Sequence, residues 1–409
     1  MASSGTICRV TRPRLTLVIV PAVIVTLMAL LLAGCERTRS ESLGAHGVAP
    51  SPAVAVAPAN NPGSVVGTQP WQAAVPHGTL VGRAVTYWST DRVGRPIQVT
   101  GTVFLPAGRP PAGGWPVMAL GHGTVGINEN CAPRFSPDLT GMSRSVLGFL
   151  RRGMAVTLAD FSGLGAPGVH PYLDAQAAGR TIIDSVRALR RLEPDVGTTW
   201  MTYGISQGGG AAWAADELAG SYAPELRLRG AVAQVPAADN TGMADQAANG
   251  LLTPEQQGIM YFLIESLARS HPELNRDDYR HGELARVWPE LDACSKSPMR
   301  AHALSQVTAG DFIPSSPEAT ARLRGLIAEG RVPQQKSAAP LLVIYGGRDM
   351  FIDHRWIESS ISRACARGDV VDVDYQPERG HLDVDISAMH DWVGQRLSGV
   401  AATRDDCPR

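Results

Sequence analysis

Residues 200–218 read WMTYGISQGGGAAWAADEL, passing from β-favouring residues through a knot of glycines into an alanine-rich helix former, with Ser206 at the corner. Gly204-Ile205-Ser206-Gln207-Gly208 fits the pattern G-x-S-x-G, which alone describes a flexible turn with an incidental serine equally well. The flanks carry the sharper reading. A nucleophile elbow needs a strand that ends abruptly and a helix that begins at once, with glycines on both sides because a Cβ would clash in so tight a turn. TTWMTYG supplies the strand and GGGAAWAADELA the helix. In an exposed helix interior Gly208, Gly209 and Gly210 would each cost about 1 kcal/mol relative to alanine, so their presence predicts a helix packed tightly against strand ends.

A serine hydroxyl is a weak nucleophile near neutral pH and needs a base that is itself oriented by a carboxylate. For this elbow the chain order is Ser, then Asp or Glu, then His, each just beyond a strand. Asp349 follows the strand-like LLVIYGGR, with Asp353 as its competitor four residues on. His381 follows VDVDYQPERG and is read as starting the final helix, LDVDISAMHDWVGQRL; His354 and His390 stand in less fitting positions. The oxyanion hole of an acyl-transfer site takes one amide from the residue after the nucleophile, here Gln207, and one from the loop after an earlier strand. MALGHGTVGINENCAP offers that loop, with Thr124 as the expected donor and Gly123 as the alternative. The plainer reading of the same loop is a glycine-rich turn in which His122 packs.

Working outward, strand-like and helical segments alternate: WPVMALG, GMAVTLADF, the helix YLDAQAAGRTIIDSVRALRRL, the elbow, LRGAVAQVP, PLLVIYGG and VVDVDYQP. Apolar strands between helices predict an α/β fold with a mostly parallel central sheet covered on both faces. RAVTYWST and IQVTGTVFLP, separated by DRVGRP, read as an antiparallel edge hairpin. Residues 237–339 contain no convincing strand but several helical stretches, and are read as a helical cap inserted into a core of residues 71–236 and 340–409. Within the cap, Ile259, Met260, Phe262, Leu263, Ile264 and Leu267 make one strongly apolar helix, which either docks on the core or lines an acyl pocket or lid.

At the N-terminus, Arg9, Arg12 and Arg14 precede the uncharged run from Leu15 to Ala33, an export signal by its pattern. It ends in Leu32-Ala33-Gly34-Cys35, which resembles a lipoprotein processing site and predicts a signal peptide over 1–35 with lipid attachment at Cys35; the alternative is an uncleaved membrane anchor. Residues 36–70, rich in Ala, Pro, Ser, Gly and Val without period, read as a flexible tether. Beyond the leader Cys131, Cys294, Cys365 and Cys407 remain, which in an oxidising compartment predict two disulfides in one of three pairings, with buried free thiols as the alternative. None of the four has the close spacing of a zinc site, so metal binding is not expected. A net charge of −1 over 409 residues gives no reason to expect a nucleic-acid partner.

With these motifs in view the chain resembles the secretory LIP-type lipases, the fungal lipase A group and related exported bacterial esterases. The resemblance runs from about Trp71 to the C-terminus and rests on GHGT followed by CAP, DFSGLG at 160–165, GRTIIDSVRALRR, YGISQGGGAA, GGRD, and GH at 380–381. It implies an α/β-hydrolase with a helical cap acting on carboxylic esters, and it favours pairing Cys131 with Cys294 and Cys365 with Cys407. The fungal relatives carry acidic character where GHGT stands. The expected function is therefore exported ester hydrolysis by Ser206, Asp349 and His381, on a small-molecule or lipid ester, without cofactor or protein partner. A serine peptidase, an acyltransferase and a catalytically inactive surface lipoprotein are the alternatives the same residues allow.

Overall fold

The computed structural model describes residues 60–76, 78–402 and 404–407; the expected export signal, the expected lipid-attachment site Cys35 and residues 36–59 of the expected tether lie outside them. Nine strands form one sheet among the described residues: β1 (Val65–Val75), β2 (Gly78–Thr90), β3 (Pro96–Phe104), β4 (Trp115–Gly121), β5 (Ala155–Ala159), β6 (Val196–Ile205), β7 (Arg227–Gln234), β8 (Leu341–Gly346) and β9 (Val371–Gln376), in the order β1-β2-β3-β5-β4-β6-β7-β8-β9. The first three pair antiparallel, and β3 joins β5 antiparallel; from β5 to β9 every pairing is parallel. Helices α1 (Ser143–Leu150), α2 (Ala175–Leu192), α3 (Gln207–Tyr222), α9 (His354–Ala366) and α10 (Ser387–Leu397) cover its faces.

The central strands alternate between two cores, as the period of two requires, yet both sides are apolar because both are covered. On β4, Val117 and Ala119 join the cluster that includes Ile182, Val186 and Leu189 of α2 and Ala211 and Ala215 of α3. Met118 and Leu120 join Val146 and Phe149 of α1 and Met389 and Trp392 of α10 on the opposite face. Small side chains let α3 sit low on the sheet, and every residue from Gln207 to Ala219 is buried.

Between β7 and β8 the elements are all helical: α4 (Gly242–Ala248), α5 (Pro254–Ser270), α6 (Gly282–Val287), α7 (Pro298–Leu304), α8 (Pro317–Glu329) and short 3-10 turns. Thr253 and Gln256 form a reciprocal capping box that starts α5, followed at once by Pro254, and Ser316 caps α8 ahead of Pro317. The apolar residues of α5 build a core of their own with Leu284, Val287, Leu323 and Ile327, which Ile127 and Tyr172 join from the sheet side.

Two expectations need correcting. Val65–Pro70, read as the end of the tether, is the first half of β1. This edge strand is largely exposed, so its sequence carries no apolar alternation; ten residue pairings with β2 hold it in place, an interaction local sequence does not encode. His381 does not start the last helix, which begins at Ser387. The intervening residues are held as a turn because Asp383 Oδ1 accepts the Gly380 N–H (2.6 Å) and Asp385 Oδ1 accepts that of Ser387 (2.9 Å), the competition with helix that Asp side chains offer.

Candidate active site

At the end of β6 the chain turns straight into α3. Ser206, the residue between them, has φ 57° and ψ −116°, a conformation that L-residues avoid and that elbow nucleophiles adopt. Its N–H donates to Gln234 O (2.9 Å) and its carbonyl accepts from Gly209, Gly210 and Ala237, so the turn is fixed on both sides. The glycines are required by proximity: a Cβ on Gly204 would lie 1.9 Å from Gly208 O, and one on Gly208 would lie 2.1 Å from Gly121 O. Gly209 and Gly210 similarly face Gln234 O and Ala237 O at 2.8 and 2.6 Å. The three glycines thus bring the N-terminus of α3 against the ends of β4 and β7.

The loops after β8 and β9 are tied to each other by backbone: Gly347 N–H donates to Gln376 O (3.0 Å) and Arg348 N–H to Arg379 O (2.8 Å). This sets Asp349 beside His381, whose Nδ1 lies 2.6 Å from Asp349 Oδ2. Asp349 Oδ1 accepts the N–H groups of Phe351 (2.7 Å) and Ile352 (2.9 Å), so the carboxylate cannot turn away. The Asp349 side chain is fully buried, the His381 side chain is 7% exposed, and the Phe351 ring lies 4.7 Å from the imidazole, tilted by 32°. The competitors point elsewhere. Asp353 caps α9 and pairs with Arg355, His354 meets Glu358, and His390 packs edge-on to Phe149.

Gln207 opens α3, where backbone N–H groups have no partner within the helix and favour an anion. In the loop after β4, Gly123 lies beside Ser206: a Cβ there would be 3.9 Å from Ser206 Cβ. Thr124 follows it, with its Oγ1 2.6 Å from the Tyr172 hydroxyl and its carbonyl accepting from Ser295 Oγ (3.2 Å). His122 is wholly buried, packs tilted against Phe161 at 4.3 Å, and lies between the carbonyls of Gly123 and Asp160. Burial lowers its basicity, which the two carbonyls only partly offset. It thus links the loops after β4 and β5. Burial also pushes the Asp160 carboxyl up to about 6, against hydrogen bonds and charge from Thr100 and Arg134.

Sequence reasoning missed His170, whose Nε2 lies 2.8 Å from Gln207 Nε2. No motif or spacing connects the two; only the fold of the 160–174 loop does. Cys131–Cys294 and Cys365–Cys407 are bridged, each with a Cα–Cα distance of 5.3 Å, the pairing the resemblance favours. The first bridge joins the cap to the loop after β4, where Ser295 N–H also donates to Val125 O (2.9 Å). A cavity of about 510 Å³ lies between the β2–β3 hairpin and the cap, lined by Arg92, Ser162, Tyr172, Leu263 and Leu267 among others; Ser206 and His381 are not part of its wall.

The architecture and the placing of these residues beyond the C-terminal ends of parallel strands define an α/β-hydrolase fold. Solved structures share it. Candida antarctica lipase A in its closed state superposes with a TM-score of 0.68 at 18% identity, over 84% of each chain. The rice cell wall degrading esterase LipA from Xanthomonas oryzae gives 0.62 at 18% identity, over 83% of this chain and 97% of that one. The model of the secretory lipase family matches residues 139–405, and the chain belongs to that family, among the lipases and esterases. A Mycobacterium tuberculosis (strain CDC 1551 / Oshkosh) protein named "Probable inactive lipase" is 24% identical over 347 residues, 78% of this chain and 74% of that protein.

Proposed function

We propose that the protein is an exported serine hydrolase of carboxylic esters that works through an acyl-enzyme. Ser206 Oγ attacks the ester carbonyl as His381 takes its proton, and Asp349 holds the imidazole with its proton on Nδ1. The oxyanion rests on the amides of Gln207 and Thr124; removal of one such donor costs about 3–4 kcal/mol in comparable sites. Collapse of the intermediate expels the alcohol, which takes the proton from His381. Water then attacks the acyl-Ser206, with His381 again the base, releasing the acid and restoring the hydroxyl. The observation that carries this reading is the 2.6 Å contact of His381 with a buried Asp349; the strained elbow conformation of Ser206 at the end of β6 supports it.

Residues 237–339 are proposed to act as the cap that selects the acyl group, and Cys35 as the point of lipid attachment that tethers the enzyme outside the cytoplasm. Two disulfides and a secretory family support export. The name of the mycobacterial relative favours a second reading, a protein that keeps the fold without turnover. One experiment separates them. The wild type should hydrolyse p-nitrophenyl esters and be labelled at Ser206 by a fluorophosphonate, and Ser206→Ala should do neither while remaining folded. An unlabelled wild type supports the inactive reading, and undiminished turnover by Ser206→Ala refutes the nucleophile. A series of esters of increasing chain length, run beside peptide substrates, distinguishes esterase from peptidase.

A further inference from the structure

We propose that the segment His170–Tyr172 positions both oxyanion donors, His170 by holding Gln207 and Tyr172 by holding Thr124. These side chains would then set turnover without touching the ester. The inference rests on the acyl-transfer reading and adds two positioning residues to it.

Hydrogen-bond logic fixes the role of His170. Its Nδ1 lies 2.8 Å from the Ser162 carbonyl, an acceptor, so the ring proton is on Nδ1 and Nε2 is bare. The bare Nε2 accepts from the Gln207 side-chain amide at 2.8 Å. The ring is buried and lies parallel to Phe161 at 6.4 Å. Burial pushes the imidazole down to about 3, so it stays a neutral acceptor. Gln207 is the first residue of α3, and a side chain fixed there restrains the turn that leads from Ser206 into the helix.

Two residues on, the Tyr172 hydroxyl and Thr124 Oγ1 are 2.6 Å apart. The segment is itself held from the cap. Ser266 Oγ in α5 donates to His170 O (2.6 Å) and accepts from Tyr172 N–H (2.9 Å), so one cap hydroxyl is bound to the backbone that carries both supports. Sub-ångström misplacement of a donor is enough to slow a reaction that depends on preorganised dipoles.

The test is steady-state hydrolysis of a p-nitrophenyl ester by the full chain, with fluorophosphonate labelling and thermal unfolding in parallel. His170→Leu should lower kcat about tenfold to a hundredfold with KM within about twofold, and still be labelled at Ser206. His170→Gln, whose amide oxygen reaches the place of Nε2, should recover most of the loss. Gln207→Met should match His170→Leu, and the double variant should fall no further, because both remove one interaction. Tyr172→Phe, which deletes a single hydroxyl, should lower kcat about tenfold and carries the test should His170→Leu fail to fold.

Full kcat in His170→Leu or Tyr172→Phe, equal impairment of His170→Leu and His170→Gln, or a loss confined to KM would overturn the positioning role while leaving an active wild type intact. A wild type that neither hydrolyses esters nor takes the label would overturn the acyl-transfer reading and this role with it.

Discussion

Replacing Asp349 by asparagine tests the site most sharply, because the structure dictates how the new side chain must sit. Asp349 Oδ1 accepts two backbone N–H groups, from Phe351 and Ile352, at 2.7 and 2.9 Å. Asparagine can satisfy both only with its carbonyl oxygen, which turns its NH₂ toward His381 Nδ1, now 2.6 Å from Oδ2. Two donors cannot face each other at that distance, so the imidazole must move its proton to Nε2. In the proposed mechanism a protonated Nε2 cannot receive the Ser206 proton. The geometry survives and the base is lost, which in a triad of this kind costs about 10⁴ in kcat, or about 5.5 kcal/mol of transition-state stabilisation. Asp353→Asn should behave differently: Asp353 caps α9 and pairs with an exposed arginine, so about 1 kcal/mol of stability at most is at stake and activity should stay within about threefold of wild type. The assay is p-nitrophenyl ester hydrolysis with thermal unfolding as the control. Asp349→Asn within tenfold of the wild type, or a larger loss in Asp353→Asn, would refute the argument.

Three further perturbations follow from the same geometry. Gly204→Ala puts a Cβ 1.9 Å from Gly208 O, a backbone atom that cannot rotate away; it should cost about 3 kcal/mol by denaturant unfolding, and a neutral effect would mean the elbow is looser than described. The Cys131–Cys294 bridge joins residues 163 apart and Cys365–Cys407 joins residues 42 apart. The chain-entropy model gives upper values of about 5 and about 4 kcal/mol, so Cys131→Ser should destabilise more than Cys365→Ser, and the reverse order would count against an entropic origin. Burial pushes the Glu217 carboxyl up to about 7, against the pull of the Gln334 N–H, the Gln176 amide and the Gln335 N–H. The unfolded chain ionises near 4.5 while the native state holds the proton to about 7, so this group's contribution is present below 4.5 and lost as pH rises to 7, by up to about 3 kcal/mol. Glu217→Gln should flatten that part of the stability–pH curve, and an unchanged slope would show that Glu217 ionises freely in the native state.

Much of this protein was legible in one dimension because its signals are local. Apolar runs between helical periods gave the parallel strands. What was missed has a common cause. β1 has no apolar face of its own and exists because β2 offers a row of partners. The turn at His381 looked helical by composition, yet Asp383 and Asp385 hold its backbone in another form. His170 carries no motif at all.

The sequence by itself determined the chemistry available: a serine at a glycine-lined corner, then an aspartate and a histidine, each following a strand and in the order an acyl-transfer triad requires. These depend on backbone rules that act over a few residues. Only the tertiary structure decided which groups meet. It joined Asp349 rather than Asp353 to His381 through two backbone hydrogen bonds between loops, and it bridged Cys131 to Cys294 across 163 residues. It also placed His170 against Gln207. The reason is geometric: a hydrogen bond or disulfide demands ångström-scale placement of groups far apart in the chain, which is set only when sheet, helices and cap have packed.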